Sequence, residues 1–275
     1  MNATKEWAGP AELHLNSRIP SSRLNETARQ RMLLHRAEPL FFADWMRVLM
    51  MHFEVDASEL QRVVPYQLDL HNGRAFVTLV AFTMEKMRPR VGGQLGAWLL
   101  KPIGTHDFLN VRTYVSHNGE PGIHFLAEWL SNRLAVRLGP LTFGLPYRHG
   151  QTAYQHDGFN GRYHGSVQDA RTKALFQYHA RSEPGVALSP CEDQSLDEWL
   201  MERYTAFNSV GVRRRFFRVW HAPWPQARVE VTINNLELLG ESWPFFKSAQ
   251  LIGGNFSPGL KDVWMGRPHF VEAKR

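Results

Sequence analysis

Gly73–Met84 (GRAFVTLVAFTM) and Asn110–Ser116 (NVRTYVS) decide the fold, because neither carries the apolar spacing of a helix. The first segment is apolar on both faces, as a central strand would be. The second alternates, setting Val111, Thr113 and Val115 against Arg112, Tyr114 and Ser116. His117-Asn-Gly-Glu120 follows, and Asn-Gly between alternating runs signals a hairpin. Gly122–Trp129 (GIHFLAEW) then returns. Strict alternation puts Ile123, Phe125, Ala127 and Trp129 on one face and His124, Leu126 and Glu128 on the other.

Working outward, Leu175–Ala180, Arg214–Trp220 and Arg228–Ile233 read as further strands. Two capping boxes mark short helices. Asp56-Ala-Ser-Glu59 opens one that Pro65 stops, and Ser195-Leu-Asp-Glu198 opens one near 195–207. Residues 1–38 are polar and basic and read as an N-terminal extension, partly helical around Glu26–Arg36. With no repeat and no dividing linker, residues 39–275 read as one domain beginning near Pro39-Leu40-Phe41-Phe42. The expected class is α+β, mostly antiparallel β, a sheet or open barrel with a few short helices.

Composition narrows the function classes. A chain of 275 residues that is 43% hydrophobic, with nine Trp and seventeen Phe, can bury a large core and is not disordered. The net charge of +6 rests mostly on Arg, whose planar fork suits carboxylates; a basic soluble surface is the plainer account of it. The one dense basic run, Arg213-Arg214-Arg215 with Arg218, is interleaved with Phe216, Phe217, Val219 and Trp220, so it reads as a strand and no nucleic acid partner is expected. A single cysteine, Cys191, excludes a disulfide framework within the chain. Glu6, Glu12, Asn16 and Arg18 interrupt the N-terminus, so it does not read as a signal peptide. No stretch approaches the ~18 apolar residues of a spanning helix. A cytoplasmic protein without a membrane partner is therefore expected, and a homo-oligomer is left open.

Motifs for dinucleotides, P-loops and nucleophile elbows are missing. The thirteen histidines include no His-Glu-x-x-His and no His-x-His pair, so neither metal nor cofactor is expected.

Several segments, taken in order, carry a resemblance. They are Leu109-Asn-Val-Arg-Thr-Tyr-Val115, Pro121-Gly-Ile-His-Phe-Leu126, Asn132-Arg-Leu-Ala-Val136, Phe143-Gly-Leu-Pro-Tyr-Arg148, Ser195–Tyr204 ending in Glu-Arg-Tyr, His221-Ala-Pro-Trp-Pro225 and Ser257–Val263. The set resembles the YqjF-like family of unknown function, in the acetoacetate-decarboxylase-like superfamily, from about Phe41 to Arg267. The resemblance implies a β-rich, cone-like open barrel around a central cavity. In the decarboxylase a Gly-x-Pro-Lys-Lys segment supplies the Schiff-base lysine, activated by its neighbour. The matching segment here reads Gly144-Leu-Pro146-Tyr147-Arg148. Neither a phenol nor a guanidinium forms an imine with a ketone, and all seven lysines lie elsewhere, so Schiff-base decarboxylation is not expected.

Each candidate site residue has a plainer alternative. Arg112, with Tyr114 on the same face, would clamp a carboxylate if that face looks inward, and is a solvated residue otherwise. Tyr147 and Arg148, at the positions resembling the lysine pair, would line the same cavity, with Tyr147 a donor or an acid/base group if Arg148 lowers its pKa; a structural turn is the alternative. Glu128 is a candidate base or a cross-strand ion pair. His52 would sit at the cavity mouth, Arg88 at its rim or in a basic loop. His221 and Trp224 lie in a proline-bounded loop, with Trp224 a ligand contact or a core anchor. The leading expectation is a cavity that binds a small organic acid or similar anion, in an enzyme without a covalent lysine or in a non-catalytic ligand-binding or sensor module. A structural or interaction protein is the remaining class.

Overall fold

The computed structural model describes residues 21–210 and 213–271. In chain order the elements are α1 (Ser21–Leu33), β1 (Phe41–Val55), α2 (Ala57–Val63), β2 (Gln67–Leu68), β3 (Ala75–Pro89), α3 (Gly93–Leu100), β4 (His106–His117), β5 (Glu120–Leu130), α4 (Arg133–Thr142) and β6 (Tyr147–Asp157). There follow β7 (Arg162–Asp169), β8 (Leu175–Arg181), α5 (Leu196–Met201), β9 (Thr205–Val210), β10 (Arg213–Trp220), β11 (Ala227–Asn235), α6 (Glu237–Ser242), β12 (Gln250–Met265) and β13 (His269–Phe270). Strand pairing is antiparallel except where β5 meets β6 and β9.

The sheet closes on itself twice. One ring runs β1-β3-β4-β5-β6-β7-β8-β11-β12 and back to β1. A second runs β1-β3-β4-β5-β9-β10-β12 and back. The rings share the wall β12-β1-β3-β4-β5. This is why Gly73–Met84 is apolar on both faces: each face of β3 looks into an interior. Neither ring is a regular barrel. β5 forks, its start (Ile123, His124) pairing with β9 and its end (Glu128–Leu130) with β6.

The first ring is filled. Leu49, Met51, Val77, Leu79, Leu109 and Val111 of the wall meet Tyr163, Val167, Phe176 and Tyr178 of β7 and β8. Leu239, Trp243 and Phe246, from α6 and the turn after it, complete that core. The second ring is not filled, and it holds the candidate site.

Local signals position the wall. Asp56 caps α2, accepting from the Glu59 backbone N–H at 2.8 Å, and Ser195 caps α5 from Glu198 at 3.1 Å. Two expectations are corrected. The second capped helix ends at Met201 rather than near 207, because Thr205–Val210 is taken into the sheet between β5 and β10. Strict alternation along Gly122–Trp129 fails at a bulge: Val111 pairs with Ala127 but Arg112 pairs with Phe125, leaving Leu126 as the extra residue. In the extension, α1 packs Met32 and Ala28 inward and lays Arg29 against Trp220 and Trp264; residues 1–20 lie outside the described residues.

Candidate functional site

The second ring encloses a hollow of about 90 Å³. One water needs about 10–15 Å³ on this scale, so there is room for several waters or one small organic molecule. Val48, Met50, Val80, Phe82, Phe125 and Phe217 make most of its wall apolar. Asn110, Arg112, Glu128, Tyr147, Arg203, His221 and Trp224 also reach it.

Arg112 sits on β4 opposite the bulge in β5 and is only 7% exposed. Its Nη2 donates to the Leu200 carbonyl at 3.2 Å and touches Met50 Sδ at 3.6 Å. Among the described residues its Nε has no partner and no carboxylate lies within ion-pair distance of it. A buried cation without a counter-charge is costly, and an anion placed beside it would remove that cost.

Arg203 leaves the end of α5 and pairs with Asp69 at 2.8 Å, while Nε donates to the Trp199 carbonyl and the fork lies 4.2 Å over the Trp199 ring. Its Nη2 is unpartnered. Trp224 is anchored by its backbone N–H on Glu202 at 3.0 Å and stacks on Trp45, leaving the indole Nε1 unpartnered. His221, beside it, shares a hydrogen bond with the Ala222 carbonyl; burial lowers its pKa, with Glu202 opposing, so the ring is neutral at pH 7.

Glu128 faces the hollow because the bulge at Leu126 turns it there. Its Oε1 accepts from Asn110 Nδ2 at 3.1 Å, while Oε2 and the Asn110 Oδ1 have no partner. Burial pushes the carboxyl up to about 8, against the pull of the Asn110 hydrogen bond, so at pH 7 it is mostly the neutral acid. Tyr147 is its neighbour across β5 and β6. Burial first, then the Glu128 charge, raises the phenol well above its ordinary value. The condition for an acid/base phenol, a pKa lowered by Arg148, is not met.

The remaining candidates lie off the hollow. Tyr114 is packed beneath it, its hydroxyl donating to the same Leu200 carbonyl at 2.9 Å and sharing a bond with Thr78. His52 shares hydrogen bonds with Thr78 at 2.8 Å and Asn255 at 2.9 Å rather than sitting at a mouth, and burial lowers it to about 4. Both belong to a network that braces the floor under Arg112. Arg148 is a correction: successive residues of a strand point to opposite faces. Its guanidinium lies over Trp129 and Trp243 on the outside of the filled ring and donates to Ser242. Arg88 is another, bound to Asp262 and Asp44 on the outer face of a strand that runs on to Pro89.

The hollow thus gathers Arg112, Glu128, Tyr147, His221 and Trp224 and adds two residues not singled out from sequence. Asn110 lies two before Arg112 on the same strand face, a signal that period two carries. Arg203 had no such signal, since it follows a helix end that sequence placed too late. Among the described residues the lining contains no lysine. Among the described residues no cluster of three or more His, Cys, Asp or Glu is placed to hold a metal, and no helix is long and apolar enough to cross a membrane.

A family model described as an uncharacterized conserved protein (DUF2071) matches residues 43–246. The uncharacterized protein YqjF of Bacillus subtilis (strain 168) is 31% identical over 198 residues, covering 70% of this chain and 78% of YqjF. Among solved structures, the enduracididine biosynthesis enzyme MppR complexed with pyruvate superposes with TM-score 0.59 at 13% identity, over 85% of this chain and 91% of that one. An acetoacetate decarboxylase-like enzyme from Sphingomonas wittichii RW1 gives 0.60 at 13% identity, over 86% and 95%. Acetoacetate decarboxylase from Legionella pneumophila gives 0.56 at 11% identity, over 85% and 87%. At such identities the structural likeness speaks to fold alone.

Proposed function

This chain belongs to the DUF2071 family of uncharacterized conserved proteins, and from that premise we propose that its hollow binds a small organic acid as the anion. The observation that carries the reading is Arg112, a buried guanidinium without a carboxylate and with a free Nε–H. Arg203 and Trp224, which line the same space, carry donors left without a partner among the described residues, Nη2 and Nε1. The apolar wall and the neutral form of Glu128 keep a second negative charge out, so the anion meets no repulsion. MppR, of like fold, was solved with pyruvate, a small carboxylate. The Glu128–Asn110 pair and Tyr147 would contact the other end of the molecule.

Binding is noncovalent in this reading, since among the described residues no amine lines the hollow. A second reading, an acid–base enzyme, is favoured by Glu128, whose carboxyl titrates near neutrality inside the hollow. A sensor would bind the same acids without turning them over, so recovering the bound acid unchanged separates the two.

The test is a thermal-shift series with short carboxylic acids and their amides. Binding to the native state alone raises Tm with ligand concentration. Acids are expected to raise it in the wild type, amides not, and Arg112→Met to remove the response. Amides working as well as acids, or a full response in Arg112→Met, would overturn the proposal.

A further inference from the structure

The helix α3, Gly93-Gln-Leu-Gly-Ala-Trp-Leu-Leu100, carries no charge and buries none of its residues. Leu95, Trp98 and Leu99, with Val91 just before the helix, are between 62% and 74% exposed. The helical spacing of Leu95, Trp98 and Leu99 puts these three on one stripe. Gly96 accounts for this orientation. A Cβ there would lie 2.6 Å from Pro89 Cγ, so the helix rests its glycine face on the end of β3 and turns its large side chains away. α4 repeats the pattern, burying Ala135 and Gly139 while Leu134, Leu138 and Leu141 recur at helical spacing and are exposed. The two helices flank the turn Lys101–Ile103, where Asn132 Nδ2 donates to the Pro102 carbonyl at 2.6 Å.

The charge around these stripes is one-signed. No Asp or Glu occurs from Lys86 to His106 or from Trp129 to His156. Lys101, Arg133 and Arg137 are exposed, and among the described residues none has a carboxylate within ion-pair distance. Exposed apolar surface of this extent marks an interaction site. A Trp and Leu stripe collared by unpaired cations matches the headgroup boundary of an anionic bilayer. A second copy of the chain would set like charges against one another.

We propose that α3 and α4 form a docking face that lies on an anionic lipid surface, with Leu95, Trp98, Leu99 and Leu141 in the acyl boundary and Lys101, Arg133 and Arg137 among the headgroups. The interaction is interfacial, and it stands whatever the hollow binds.

The full chain is sedimented with vesicles of phosphatidylcholine alone or with phosphatidylglycerol, and is run without lipid to read its oligomeric state. The wild type is expected to pellet with the anionic vesicles and far less with the neutral ones. Leu95→Glu/Trp98→Glu should stay in the supernatant with an unchanged Tm. Lys101→Gln/Arg133→Gln/Arg137→Gln should weaken binding by about fivefold per cation removed. Failure to pellet with anionic vesicles, equal pelleting with neutral ones, or indifference to Leu95→Glu/Trp98→Glu overturns the proposal. So does a lipid-free dimer that this variant dissociates, which would assign the face to a second copy.

Discussion

Leu109 and Val111 of β4 face the filled ring; Asn110 and Arg112, alternating with them, face the hollow. The same division runs along β1, where Leu49 and Met51 oppose Val48 and Met50, and along β3, where Leu79 and Ala81 oppose Val80 and Phe82. On the filled side the wall meets apolar partners at every position named. On the hollow side it carries a guanidinium, an amide and a carboxyl with atoms left unpaired. Unsatisfied buried polar atoms oppose folding, so the hollow face is tolerated where the other face supplies enough apolar burial. A period of two lets one strand serve stability and binding at once, and a slip of one residue would exchange them.

The largest effect should come from the filled face. Trp129 is fully buried there, its indole N–H donating to Asp169 at 2.9 Å. Trp129→Ala should lower stability by about 3–5 kcal/mol, read from the denaturant midpoint, with acid affinity per folded molecule unchanged. A loss of affinity as large as the loss of stability would mean that the two faces are not separable.

The hollow face should instead show itself through pH. Glu128 has its pKa raised from 4.5 to about 8 by burial. Below 4.5 both states hold the proton; between 4.5 and about 8 the unfolded chain has released it and the native chain keeps it. Stability from this group is therefore lost as pH rises through that window, by at most about 1.4 kcal/mol per unit, and levels off above it. His52, His106 and His156, lowered to about 4 by burial, act with the opposite sign and cost stability as pH falls from 6.5 towards 4. Glu128→Gln should thus gain on the wild type between pH 5 and 8 in denaturant titrations. Parallel pH profiles for the two proteins would refute a neutral Glu128.

Arg112→Met comes next in size. It removes a buried cation whose lost contacts are the Leu200 carbonyl, the Met50 sulfur and the Tyr114 hydroxyl, all neutral groups, so stability should stay within about 1 kcal/mol of the wild type or rise. Acid binding should weaken by about 2–3 kcal/mol, the worth of a charge-assisted hydrogen bond, in calorimetric titration. A collapse of stability with binding intact would make Arg112 part of the core.

How far this division could be read from sequence depends on the distance over which each signal acts. Apolar residues on both faces of Gly73–Met84 mark a strand between two interiors, but that the interiors are two rings depends on pairings such as Val219 with Met265, which no local pattern announces. Arg112 was legible, and Asn110 with it, because β4 keeps its period. Glu128 was placed by an alternation that the bulge at Leu126 breaks without a glycine or proline to signal it. The expected convergence of Tyr147 and Arg148 rests on their likeness to the lysine pair, and Tyr147–Asp157, a strand of mixed polar residues, has no apolar period to announce the strand. Once it is a strand, the two must diverge. Arg203 was hidden by the sheet's claim on Thr205–Val210 over the helical signal before it.

The smallest effect should come from where α4 backs Tyr147, a residue of the hollow's lining. A Cβ at Gly139 would lie 2.3 Å from Tyr147 Cε2 and 2.4 Å from Cδ2, closer than any real contact, so Gly139→Ala must push the ring inward or lift the helix. Helix propensity alone would favour alanine by about 0.5–1 kcal/mol, whereas overpacking costs about 1–3 kcal/mol. The balance should be a net loss of about 1 kcal/mol, visible as a Tm lower by about 2–4 °C. Because Tyr147 shares the hollow with Glu128, a displaced ring should also cost acid affinity, by less than Arg112→Met does. A gain in Tm with affinity unchanged would show that helix propensity outweighs the clash and that the hollow yields on this side. The hollow would then be a soft space beside a rigid one rather than a second built interior.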